Sequence, residues 1–248
     1  MLAGVILVFG TFGTAIIILK EKSINIAKTA LVQPVLAADI YPEFVCPCCG
    51  QPLDPNNICC GSAQERIDYI NSLVVKPGMT KDEIILTYVK KYGLNSFKDK
   101  DQAETFKNKI AESAPQERPI VALSPASFNL GEVSQKKGEV STTFTVKNNG
   151  QKDLVIDKLE TSCGCTTASI VFNGQEGPRF GMPGHGLNED IKDWQVVIPP
   201  AGEAKLNVYY DPKVHLDFRG YAIREISIFS NDPVNFEERV KVELNQVD

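Results

Sequence analysis

The hydrophobic rhythm of the chain changes twice after an apolar start, and each stretch predicts a different kind of element. Leu2 to Leu19 is uncharged and overwhelmingly apolar. As a helix it would reach about 27 Å at 1.5 Å per residue, enough for a thin hydrocarbon core. A cleaved secretory leader is the bland alternative. Its nearest small-residue cleavage signal, Val35-Leu36-Ala37-Ala38, lies well past the run, so residues 1–22 are read as an uncleaved single-pass membrane anchor. Residues 23–42 form a mixed spacer ending in Tyr41-Pro42.

From 43 to 113 the apolar period is helical. Ser62 with Glu65 reads as a capping box, followed by Ile67, Ile70, Leu73 and Val74 on one face. Thr80 with Glu83 repeats the device ahead of Ile84, Ile85, Tyr88, Val89 and Tyr92, and Gly93 stands at the helix end. A weaker third helix is predicted from about Asp99 to Ser113, with Ala103, Phe106 and Ile110 facing inward. Residues 114–119, with Pro115 and Pro119, form a linker.

Beyond the linker the period becomes two. Thr142, Phe144 and Val146 alternate with polar neighbours until Asn148-Asn149-Gly150 turns the chain. Leu154 and Ile156 follow, then Trp194, Val196 and Ile198, then Leu206, Val208 and Tyr210. Ile226 and Ile228 come next, and Val240, Val242 and Leu244 last, with turn signals at Pro199-Pro200-Ala201-Gly202 and Ser230-Asn231-Asp232-Pro233. Short alternating strands between turns predict an antiparallel β-sandwich over residues 120–248, long enough to bury its own core. A Gly-rich insertion, Asn173 to Asp193, interrupts it and reads as a functional or a mobile loop.

Charge and composition narrow the chemistry. The 248 residues carry a formal net charge of -5, which excludes nucleic acid as a partner on electrostatic grounds. Two histidines exclude sites built on several imidazoles, and no Ser-His-Asp set, phosphate loop or paired carboxylates stand out. The seven cysteines are the informative residues. Five fall in two groups, Cys46-Pro47-Cys48-Cys49-Gly50 and Cys59-Cys60-Gly61, around a turn-rich loop. Cys46 and Cys49 make a Cys-x2-Cys knuckle, and Gly50 permits the positive φ that turns backbone N–H groups towards sulfur. Cys59 and Cys60 can complete a four-sulfur site, with one cysteine of each vicinal pair ligating and the other spare. Thiol–disulfide exchange, with Cys46 or Cys49 attacking, and two structural disulfides are the competing readings.

The remaining pair is Cys163-Gly164-Cys165 at a predicted strand end. Residues i and i+2 share a strand face, so both sulfurs can meet one metal ion or one oxidant. A bond across a single glycine closes a very small ring, which favours easy reduction. Two buried core sulfurs would be the plain alternative. Met182 and His185 in the insertion are further candidate ligands, suiting zinc or copper. His215 has no partner visible in sequence.

Two stretches carry resemblances. Phe128-Asn129-Leu130-Gly131, Val146-Lys147-Asn148-Asn149-Gly150, Ser162-Cys163-Gly164-Cys165-Thr166, Pro199-Pro200-Ala201-Gly202 and Ser230-Asn231-Asp232-Pro233 resemble the bacterial Cys-Gly-Cys immunoglobulin-like proteins of unknown function, relatives of the ASH and Hydin domains. That resemblance implies a seven-stranded sandwich and an envelope location. Cys46-Pro47-Cys48-Cys49, Gly78-Met79-Thr80-Lys81-Asp82-Glu83-Ile84 and Lys91-Tyr92-Gly93 are similar to the thiol module of the cytochrome c maturation H protein. This implies a membrane-tethered three-helix bundle whose dithiol reduces apocytochrome. Lys20, Lys22 and Lys28 follow the apolar run, which taken literally would place the bulk of the chain in the cytoplasm; both resemblances point to the extracytoplasmic side. The expectation is thus a multi-domain chain: a transmembrane helix, a Cys-rich three-helix module and an all-β immunoglobulin-like antiparallel sandwich. Its expected work is binding zinc or copper, or handling thiols, with an envelope protein or apocytochrome as partner. A non-catalytic interaction scaffold is the third reading.

Overall fold

Between Val140 and Asn148 every second side chain, Thr142, Phe144, Val146 and Asn148, is buried. Successive side chains of a strand point to opposite faces, and only one face meets a second sheet. The same rule buries Leu154 and Ile156, Leu206, Val208 and Tyr210, Ile226 and Ile228, and Val240, Val242 and Leu244. The computed structural model describes residues 34–183, 191 and 193–248. The apolar run Leu2 to Leu19 lies outside them, as does His185; among the described residues no helix is long and apolar enough to cross a membrane.

The strands are β1 (Val121–Ser124), β2 (Ser127–Ser134), β3 (Val140–Asn148), β4 (Leu154–Thr161), β5 (Thr166–Phe172), β6 (Gln175–Glu176), β7 (Val196–Ile198), β8 (Glu203–Tyr210), β9 (Gly220–Ser230) and β10 (Glu237–Val247). They form two five-stranded sheets, β1-β3-β8-β5-β6 and β2-β10-β9-β4-β7, whose inner faces share a core including Phe144, Leu154, Ile170, Leu206, Ile226 and Val240. Side chains of this size each contribute about 1.5–3 kcal/mol on burial.

The sandwich departs from the sequence expectation in two ways. It is not wholly antiparallel, because β2 pairs with β10 in parallel, from Ser127↔Lys241 to Ser134↔Val247. The chain passes from β1 in one sheet to β2 in the other through Pro125 and Ala126 without a hairpin, so both strands run in one direction. It also has ten strands among the described residues rather than seven. Part of the 173–193 insertion is regular: Asn173 and Gly174 take φ 52° and 78°, the two-residue hairpin turn that suits strand twist, and β6 returns along β5. Phe180 bridges to Ala168 and its ring lies 4.8 Å from that of Trp194.

The helical part comprises α1 (Gly61–Val74), α2 (Lys81–Tyr92) and α3 (Lys100–Ser113). The α2 start is a full capping box, with Thr80 Oγ1 accepting from Glu83 N–H and Glu83 accepting from Thr80 N–H. The expected Ser62–Glu65 box is absent, because α1 begins two residues earlier with Cys60 as its N-cap and no side-chain cap. Ser62 therefore falls inside the first turn. Gly93 caps α2 at φ 82°, and a Cβ there would meet Glu237 Oε2 at 2.5 Å, so both conformation and space require glycine.

Residues 34–248 form one compact unit. Val234 and Phe236, from the β9–β10 connection, are buried in the helical core with Phe44, Ile70, Leu73, Ile84 and Tyr88. Glu237 accepts from Leu94 N–H at 3.0 Å. At the linker, fully buried Asp232 holds Arg118 at 2.8 Å and Val121 N–H at 3.1 Å.

Candidate functional site

The knuckle forms because the chain folds back tightly after Phe44. Cys46 N–H donates to Gln51 O at 2.8 Å, Gly50 N–H donates to Cys46 O at 2.9 Å, and Gly50 adopts φ 69°. That geometry turns Cys48 N–H onto Cys46 Sγ at 3.4 Å, the backbone-to-sulfur contact expected of this spacing. On the opposite side Cys60 is the N-cap of α1, so the second cysteine pair is held at the start of that helix.

Four sulfurs converge. Cys46 Sγ lies 3.4 Å from Cys60 Sγ and 3.3 Å from Cys59 Sγ, Cys49 Sγ lies 3.2 Å from Cys59 Sγ, and Cys59 and Cys60 are 3.9 Å apart. Zinc–sulfur bonds of about 2.3 Å in a tetrahedron give sulfur–sulfur edges of about 3.8 Å, so these four contacts are close to the edge of such a cage. Cys46, Cys49 and Cys59 form one group of three sulfurs and Cys46, Cys48 and Cys60 a second, the members of each within 4.8 Å of one another. Cys46 belongs to both groups and is the hub. The sulfurs of Cys59 and Cys60, of which the sequence reading left one spare, both lie near Cys46. Both sulfurs reach Cys46 because the backbone bends at Cys60, where α1 begins.

The electrostatics follow the same hub. Burial pushes the Cys46 thiol up, but the N–H groups of Cys48 and Cys49 and the thiols of Cys59 and Cys60 outweigh it and lower the group to about 6. Cys59 moves the other way, because its proton is held by Cys49 and Cys46. Cys48 is raised by its contact with Cys60. Cys46 is 1% exposed, whereas Cys48, Cys49 and Cys59 reach solvent. A cavity of about 260 Å³ opens beside Cys46 and Cys59, lined also by Leu53, Asp54 and Asn57.

The second pair is arranged differently. Cys163 and Cys165 are joined as a disulfide, Cα atoms 5.3 Å apart, in the turn between β4 and β5. In that state neither sulfur is a thiolate ligand. Thr161 Oγ1 holds the turn by donating to Cys163 O and Thr166 O at 3.1 and 2.9 Å. His215 Nε2 stands 3.3 Å from Cys163 Sγ, and Arg224 Nε donates to Cys165 Sγ at 3.2 Å. The imidazole beside the pair is thus His215; the expected His185 lies outside the described residues. Met182 is half-buried. The register explains His215: β8 pairs with β5 so that Tyr210 faces Thr166, and Asp211 N–H reaches Cys165 O at 2.9 Å. The segment after Tyr210 is therefore delivered to the Cys-Gly-Cys turn, a link that needs the strand pairing and not local sequence.

A family described as a protein of unknown function (DUF1573) matches residues 121–175. The match takes in Cys163 and Cys165 and does not reach residues 44–97. No curated protein matches the chain. Among solved structures, a protein of unknown function from Porphyromonas gingivalis W83 is 19% identical with TM-score 0.39, over 54% of this chain and 50% of that one. The ASH / PapD-like domain of human CEP192 is 10% identical with TM-score 0.35, over 54% and 90% of the two chains. The secreted serine protease VesC from Vibrio cholerae is 13% identical with TM-score 0.34, over 58% and 26%. The chain spans about half the length of the Porphyromonas protein.

Proposed function

We propose that the Cys46–Cys60 segment is a soft-metal thiolate centre, with Cys46, Cys49, Cys59 and Cys60 as ligands for zinc or copper(I). The observation that carries this reading is the run of four contacts, Cys46–Cys60, Cys46–Cys59, Cys49–Cys59 and Cys59–Cys60, at 3.2 to 3.9 Å, each close to the edge length of a tetrahedral thiolate cage. A buried, readily ionised Cys46 at the centre supports it, since metal binding requires deprotonated sulfur. We further propose that Leu2 to Leu19 anchors the chain and that the metal is held at the extracytoplasmic face, for transfer to or from another envelope protein. The immunoglobulin-like sandwich would provide the docking scaffold.

One observation favours a second reading, dithiol exchange of the apocytochrome-reducing kind: a Cys46 thiol lowered to about 6 is a competent nucleophile. Its 1% exposure argues against attack on a bulky protein disulfide. The test is metal analysis of the full chain, purified anaerobically in mild detergent. Tightly bound zinc or copper, and intense thiolate-to-metal absorption after cobalt(II) substitution, are expected. A chain that co-purifies with neither metal and binds none tightly on addition would overturn the reading.

A further inference from the structure

The Cys163–Cys165 pair has surroundings that a neutral staple does not need. A bond between residues two apart encloses almost no chain, so it removes little freedom from the unfolded state. Yet a guanidinium nitrogen lies against one sulfur and an imidazole nitrogen against the other. Arg224 is half-buried, its hydrogen bonds go to Cys165 Sγ and to Ile223 O at 3.2 Å each, and its guanidinium lies 5.8 and 5.9 Å from the Tyr210 and Phe218 ring centroids; among the described residues it makes no salt bridge with a carboxylate. A half-buried cation without a carboxylate is free to stabilise an anion formed beside it. A Cys165 thiolate would be that anion, and it exists only when the disulfide is open.

We propose that Cys163–Cys165 is a redox-active disulfide exchanging two electrons with dithiols, with His215 and Arg224 as its proton donor and counter-cation. The proposal is independent of the metal reading, because it uses none of the five N-terminal cysteines. Access sets the order of events. Cys165 is 3% exposed while Cys163 is half-buried at the surface, beside exposed His215 and its neighbours Val214 and Leu216. A donor thiolate reaches Cys163 Sγ, forms a mixed disulfide there and breaks the Cys163–Cys165 bond. The bonding pair passes to Cys165 Sγ, where Arg224 stabilises it. The donor's second thiolate then attacks its own sulfur in the mixed disulfide. Cys163 leaves with the electron pair and takes a proton from His215, which is replenished from solvent; Cys165 stays a thiolate against Arg224. One dithiol becomes one disulfide, and the protein gains two electrons and one proton, the dithiol's other proton passing to solvent. Run backwards, the same steps oxidise a partner dithiol.

The site can be read separately from the other thiols, because cleavage after Lys158 and Arg179 gives a peptide whose two cysteines are Cys163 and Cys165. The full, folded chain is equilibrated in glutathione buffers of graded ratio, quenched in acid, alkylated, and that peptide weighed. A two-electron titration in the native protein is expected. Arg224→Gln should shift the equilibrium about tenfold towards the disulfide, with Arg224→Lys restoring most of it, and His215→Ala should slow reduction by dithiothreitol about tenfold. A native disulfide that stays closed at every ratio, yet opens once the protein is denatured, would overturn the proposal. So would folded Arg224→Gln and His215→Ala proteins that titrate and react like the wild type. Metal lost from the other cluster changes none of these readings.

Discussion

Replacing Cys46 by serine tests the cluster most sharply, because Cys46 is the sulfur shared by both groups of three. Structural zinc sites of this kind bind with about 10–16 kcal/mol, so one of four thiolates accounts for about 3–4 kcal/mol. At 1.4 kcal/mol per decade, Cys46→Ser should weaken zinc affinity about 10²- to 10³-fold. Cys48→Ser should cost less than about threefold, since Cys48 supplies its backbone N–H to Cys46 Sγ at 3.4 Å while its own thiol lies outside the four. Competition against a chromophoric chelator measures both variants on one scale, and circular dichroism shows that each is folded. Equal losses for the two variants would refute the assignment, as would a Cys46→Ser protein that binds like the wild type. Comparable losses in both would instead place the ligands on the second group, which contains Cys46 and Cys48 together.

Three further outcomes follow from the packing. Phe236→Ala, at a site 2% exposed within the helical core, should destabilise the protein by about 3–5 kcal/mol; a urea midpoint close to wild type would contradict the shared core. Asn148 joins Lys152 O and Ile198 O at 2.8 and 3.0 Å and accepts from Gly150 N–H at 2.9 Å, so Asn148→Ala should cost about 2–4 kcal/mol in the same assay. Glu83 is held below its ordinary 4.5 by the N–H and hydroxyl of Thr80. The stability it adds is present above that ordinary value and fades as pH falls through its lower folded value. Glu83→Gln should flatten this acid limb of the unfolding curve, and an unchanged limb would remove Glu83 from the account.

Much of this architecture is legible in the chain, for identifiable reasons. Phe144, Val146, Leu206 and Val208 alternate because the sandwich has one wet and one dry face, and Thr80 with Glu83 is a local device that sequence displays in full. Ser62 with Glu65 has the same spelling and fails, because Cys60, drawn into the sulfur cluster, starts the helix first. The Asn148 and Asp232 motifs, read from the sequence as turns, are also braces, satisfying buried backbone groups at strand ends. The five-cysteine knuckle was readable as a candidate site because its spacing is local. His215 and Arg224 were not, since they meet Cys163 and Cys165 only through the pairing of distant strands.

The position of β10 carries a consequence for how the molecule is made. It lies between β2 and β9, so β2 has no sheet partner until residues 237–247 have left the ribosome. The helical core waits almost as long, because Val234 and Phe236 immediately precede that strand. More than 230 residues of chain, all seven cysteines among them, are therefore synthesised before either half can close. A chain shortened by its final fifteen residues would keep every cysteine and lose the means of holding them in place.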